Sequence, residues 1–133
     1  MATKLPTRQL GEFGPQVTAI GAGIMSLGGA YGCGGSDEER FAYLDKLYEI
    51  GETFWDNADI YGDAEDLVGK WFTRTGKREE IFLNSKFSFI DITTGAVYSK
   101  SDYAKEATEK SLKRRMVSSR ISEQLFGETP EQD

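Results

Sequence analysis

Phe54-Trp55 is a β-type apolar run that turns abruptly polar at Asp56-Asn57. The segment after it, Asp63-Ala64-Glu65-Asp66-Leu67-Val68-Gly69-Lys70-Trp71, reads as a helix start. Asp63 is placed as its N-cap, and the early acids suit the positive end of a helix dipole. A strand, a short loop and a helix in that order form the βα unit of a parallel sheet. No other feature constrains the chain as tightly, because parallel strands need long crossovers and commit the flanking sequence to the same alternation. Polar residues at the carboxyl end of such a strand face the crevice where α/β proteins place their chemistry.

The flanking sequence has that alternation. Residues 7–10 and 17–20 are short runs around Gly11-Glu12-Phe13-Gly14-Pro15 and predict a hairpin. The second run continues to Met25 as a first core strand. Ser36 and Glu39 are spaced as a capping box. Phe41, Leu44, Leu47 and Tyr48 mark the buried face of the helix that follows, and Gly51 ends it. A second helix spans residues 64–74, with Leu67, Val68, Trp71 and Phe72 as its apolar face. Residues 81–86 form a third strand, followed by Phe87-Ser88-Phe89-Ile90 and a polar loop over 91–100. A third helix over 102–115 turns Ala104, Ala107 and Leu112 to the sheet and its charged residues to water. The order is hairpin, then three βα units, which defines an α/β fold with right-handed crossovers.

Composition narrows the function. The net charge of −6 argues against nucleic acid, which calls for a basic footprint. No apolar run reaches membrane-spanning length, and the first residues lack the apolar core of a signal peptide, so a cytoplasmic protein is expected. The lone Cys33 excludes an internal disulfide, fits a reducing compartment and is read as inert. Gly21-Ala22-Gly23 could open a dinucleotide-binding GxGxxG turn. The third glycine would then fall on Ser26, and the glycine-rich run over 28–35 forbids the helix that such a turn begins. That run is expected instead to be a mobile loop over the mouth of the site.

Three polar groups can meet at the strand ends: Asp56, Tyr61 in the next loop, and Lys86 at the end of the third strand. A lysine beside a tyrosine stabilises the phenolate, and an aspartate holds the lysine charged and in place. Such a trio lets a tyrosine give up a proton near neutral pH. A strand-end ion pair beside an interfacial tyrosine would use the same residues without chemistry.

Residues 51–62, Glu65 and Gly69-Lys70 resemble the signature of the aldo-keto reductases, especially the NADPH-dependent fungal and bacterial members. The similarity extends to Leu10-Gly11, Val17-Thr18, Gly21-Ala22-Gly23-Ile24-Met25, residues 81–86 and residues 109–114. The resemblance implies the N-terminal part of a (β/α)8 TIM barrel, a hairpin plus about three βα units. It implies reduction of a small-molecule aldehyde or ketone to an alcohol with NADPH. Asp56, Tyr61 and Lys86 would be catalytic, and Gly23, Ile24, Met25 and Asp56 would contact the cofactor. The family's fourth catalytic residue is a histidine, and these 133 residues contain none. A whole barrel typically needs about 250 residues. Residues 1–115 are therefore expected to be the barrel portion and residues 116–133 an atypical, disordered tail, produced by a frame change or a retained intron. Truncation would impair turnover and cofactor binding. The alternative is a non-catalytic fragment that acts by association, with self-association through exposed sheet edges.

Overall fold

The computed structural model describes residues 5–32, 34–87, 89–90, 94, 96–98 and 101–114. Strands β1 (Thr7–Gln9) and β2 (Gln16–Thr18) pair antiparallel, with Thr7 opposite Thr18. Gly11 supplies the positive φ of 66° at the reversal, so the predicted hairpin is present. The strand expected to run on from it to Met25 is interrupted. Ala19 still donates to Pro6 of the hairpin, and only Ala22–Gly23 form β3, in a different sheet. The chain must leave an antiparallel partner before it can join a parallel one, and residues 19–21 make that change.

Strands β4 (Phe54–Asp56) and β5 (Phe82–Asn84) complete a parallel sheet in the order β3-β4-β5. Between β3 and β4 lies a 3-10 turn, Met25–Gly28, and then helix α1 (Asp37–Glu49). No α-helix starts directly after Gly23, which removes the dinucleotide-turn reading. Helix α1 has the predicted capping box: Glu39 N–H donates to the Ser36 hydroxyl, and Ser36 N–H donates to the Glu39 carboxylate. Helix α2 (Ala64–Thr75) connects β4 to β5 and stops at Gly76, whose φ is +69°. Asp63 sits at its N-terminus but makes no capping bond. Its carboxylate accepts from Arg40 instead, at 2.7 Å, because a charged guanidinium outcompetes an amide.

The stretch after β5 holds more structure than a polar loop. Strands β6 (Phe89–Ile90) and β7 (Val97–Tyr98) form a short antiparallel ribbon before helix α3 (Ser101–Arg114). Two residues per strand give no alternation to detect. In α3, Ala107 is buried as expected, but the other buried residue is Ser111, with Leu112 only half-buried. Arg115, the tail over 116–133 and Cys33 lie outside the described residues.

Strand alternation sorts the two faces of the sheet. Trp55 is 0% exposed and packs on α2, 4.9 Å from the Trp71 ring and 6.2 Å from that of Phe72. Leu83, its register partner, is buried on the same side with Leu44, Leu67 and Val68. Both indoles find acceptors, Trp55 at the Glu52 carbonyl (3.0 Å) and Trp71 at the Asp45 carboxylate (2.8 Å). The opposite face carries the Phe54–Phe82 pair, 5.4 Å between centroids, and beyond it Asp56 and Asn84.

Three carboxylates clip α1 to its neighbours. Asp37 bonds Lys70 at 2.9 Å and also Arg40; Asp45 bonds Arg74 at 2.5 Å; Glu80 accepts from the Tyr48 hydroxyl at 2.5 Å and from Lys77 at 2.9 Å. Hydrogen bonds from Lys70 and Arg40 hold Asp37 below the ordinary aspartate range. Arg74 does the same for Asp45, and Tyr48 with Lys77 for Glu80. A carboxylate with a depressed folded-state pKa stabilises above its unfolded pKa, and that contribution disappears as pH falls through the folded value. The melting temperature is therefore expected to be level from neutral pH to about 5 and to fall below about 4, where carboxylates protonate. Thermal melts of Asp45→Asn should show a shallower acid fall than the parent chain; an equal or steeper one would count against these clips.

Candidate active site

The main chain sets the spacing of the site. Asp56 and Asn84 end their strands as register partners, and the parallel ladder continues past them. Asn57 N–H donates to the Asn84 carbonyl (2.9 Å), and Asp59 N–H donates to the Lys86 carbonyl (3.0 Å). The two loops leave the sheet bonded to each other. Asp56 and Lys86 project from them on the same side.

The Lys86 amine donates to Asp56 Oδ2 and to the Asn57 carbonyl, each at 2.6 Å. The second oxygen of Asp56 accepts from Asn84 Nδ2, also at 2.6 Å. Asp56 is thus held on both oxygens, and its rotamer is fixed. Both Asp56 and Lys86 side chains remain 43% exposed, so a small molecule can reach the pair. The amine lies over the ring of Tyr61, 5.3 Å from its centroid. The sequence placed Lys86 within reach of the Tyr61 hydroxyl; among the described residues no hydrogen bond joins the two. With two of its donors committed to Asp56 and Asn57, the amine is drawn toward β4 and meets the ring face.

Tyr61 owes its position to glycine. A Cβ on Gly28 would lie 1.9 Å from the Tyr61 carbonyl oxygen, and one on Gly62 would lie 2.3 Å from the Gly28 oxygen. The turn after β3 and the loop after β4 therefore touch backbone to backbone. The first end of the glycine-rich run is anchored there, and Arg40 adds a bond to the Leu27 carbonyl at 3.0 Å.

The residues assigned to the cofactor divide. Gly23 ends β3 exposed, and a Cβ there would meet nothing within 4 Å, so a flat ring could approach the main chain. Met25 is half-buried in the following 3-10 turn. Ile24 is 0% exposed, and its side chain belongs to the core with Trp55 and Leu83. Its amide is spent on the Asp56 carbonyl at 2.9 Å. Asn84 was not singled out from the sequence, although pairing the ends of β4 and β5 in register would have set it against Asp56.

Parallel strands joined by helical crossovers, with polar groups gathered at their carboxyl ends, define an α/β protein of the kind that builds barrels and doubly wound sheets alike. The sequence profile of the Aldo/keto reductase family matches residues 19–120, and the chain belongs to this family of oxidoreductases. It is similar to an aldo-keto reductase of Strobilurus tenacellus, 46% identical over 115 residues that cover 83% of this chain and 33% of that protein. A relative from Schizosaccharomyces pombe, named an aldo-keto reductase [NADP(+)], is 41% identical over 115 residues, with coverage of 83% and 33%. Among solved structures, an aldo-keto reductase of Bacillus halodurans in its holo form matches with a TM-score of 0.68 at 29% identity. That match covers 85% of this chain and 37% of the other. The chain therefore spans about a third of the length of these curated relatives, and its fold is part of their barrel.

The contact between the two loops gives a direct test. Gly28→Ala is expected to push the Tyr61 loop away and cost about 1–3 kcal/mol, the usual range for overpacking. Gly23→Ala, in open space, should change stability by less than about 0.5 kcal/mol. Urea unfolding of the two variants separates them, and equal midpoints would show that the contact does not constrain the loop.

Proposed function

We propose that this protein is a cytoplasmic, NADPH-dependent carbonyl reductase in which Tyr61 is the proton donor. One observation carries the reading: the Asp56–Lys86 pair, closed at 2.6 Å at exposed strand ends, faces the Tyr61 ring at 5.3 Å. Family membership supports the reaction class, and the NADP(+) in the name of the Schizosaccharomyces pombe relative supports the cofactor. No helix among the described residues is long and apolar enough to cross a membrane.

When bound, NADPH would supply the hydride for the carbonyl carbon, itself becoming NADP+. The carbonyl oxygen takes its proton from the Tyr61 hydroxyl, and solvent restores that proton. The alcohol product thus gains one hydride and one proton. Lys86 provides a fixed positive charge beside the ring that becomes negative as the proton departs. Asp56 and the Asn57 carbonyl keep that charge in place. Gly23 and Met25 would hold the cofactor, the bare backbone at Gly23 leaving space for a flat ring, with Ile24 backing the strand.

Tyr61→Phe keeps the ring and removes the proton. In a complete barrel carrying these residues it is expected to lower NADPH-dependent reduction of an aldehyde panel by at least about 100-fold, the usual contribution of general acid catalysis. NADPH oxidation read by absorbance checks this, and undiminished turnover would sink the assignment.

A second reading, self-association, is favoured by exposed apolar side chains and open strand edges. Phe13 is 91% exposed and Ile20 78%. Among the described residues, β3 and β5 each pair on one side only. Sedimentation should show oligomers at micromolar concentration that Phe13→Ser with Ile20→Ser shifts toward monomer; a monomeric parent chain would rule this reading out.

A further inference from the structure

Glu65 is 1% exposed, in the first turn of α2. A buried carboxylate is costly unless it is satisfied, so its partners identify what it is there to hold. One oxygen accepts from the Ser85 hydroxyl at 2.8 Å. The other accepts from the Ser111 hydroxyl at 2.8 Å, with the Arg114 guanidinium 3.8 Å away. Arg114 also reaches Asp66 at 3.7 Å and the Asp59 carbonyl at 3.4 Å. Ser85 stands between the two residues that engage Asp56: Asn84 on one side and Lys86 on the other.

We propose that Glu65 is a positioning residue for Lys86, gripping Ser85 from behind the sheet and tying the end of β5 to α2 and α3. The Lys86 backbone is then held from two directions, by the Asp59 amide in front and by Glu65 through Ser85 behind. Loss of the rear grip frees the end of β5 to shift, and the amine loses its fit between Asp56 and Asn57. The inference deepens the carbonyl-reductase reading, on which it rests for the importance of Lys86.

The test needs no turnover. The full 133-residue chain is treated with an amine-acetylating reagent, and the rate at each lysine is read by mass spectrometry. Glu65→Leu and Ser85→Ala are expected to raise the rate at Lys86 about threefold or more, as for the loss of one hydrogen bond. Lys70, bonded to Asp37 at 2.9 Å, serves as the control and should not change. Ser85→Thr retains the hydroxyl and should restore the parent rate at Lys86. Should Glu65→Leu fail to fold, Ser85→Ala removes a single half-buried bond and carries the test alone. An unchanged Lys86 rate, or a parallel rise at Lys70 that marks general loosening, would overturn the proposal. The expected labelling pattern together with no carbonyl reduction by a complete barrel carrying these residues would overturn the reductase reading and leave the positioning role standing.

Discussion

Trp55 decides which way every other residue of β4 points. Its indole is fully buried between the sheet and α2, against Trp71 and Phe72. Strand side chains alternate, so a one-residue slip would bring Phe54 and Asp56 against the helices and expose the tryptophan. Burial of so large an apolar surface makes that slip costly. The orientation of Asp56 is thus enforced by an aromatic cluster on the opposite face, and the same register sets Asn84 against it. Polar chemistry on one side of the sheet depends on oily packing on the other.

Part of this organisation is legible in the sequence because it is local. The capping box of α1 is read from two residues three apart, and the apolar face of α2 from a helical repeat. Both survive in the structure with the expected residues buried or bonded. Asp63 shows where local reasoning stops: its residue type favours capping, yet a distant arginine takes its carboxylate. Arg40 is 23 residues away in the chain, and nothing in the neighbourhood of Asp63 announces it.

The candidate site is legible to the same degree. Asp56, Tyr61 and Lys86 stand out as polar groups after apolar strands, and the structure brings them into one neighbourhood. The way they meet depends on longer-range facts. The amine rests on the ring face because the Asn57 carbonyl shares it with Asp56, and a main-chain acceptor leaves no mark in the sequence. Glu65 reads as a routine helix-dipole acid, while its serine partners lie 20 and 46 residues away. The β6–β7 ribbon escapes for the opposite reason, being too short to carry a period.

The hydrogen bonds that carry the ladder beyond β4 and β5 join peptide groups alone. The separation of Asp56 from Lys86 is thereby inherited first from backbone spacing, and the Ser85–Glu65 contact then holds the second loop to it. Asn57 adds a local brace to that frame: it is buried, and its side-chain oxygen accepts from the Ala58 amide at 2.9 Å. The Asp56–Lys86 pair is in that sense a portable cassette. Two neighbouring parallel strands, continued by the same two amide bonds, would present an acid and a lysine at this spacing wherever the covering helix can hold the second loop from behind, as Glu65 holds Ser85.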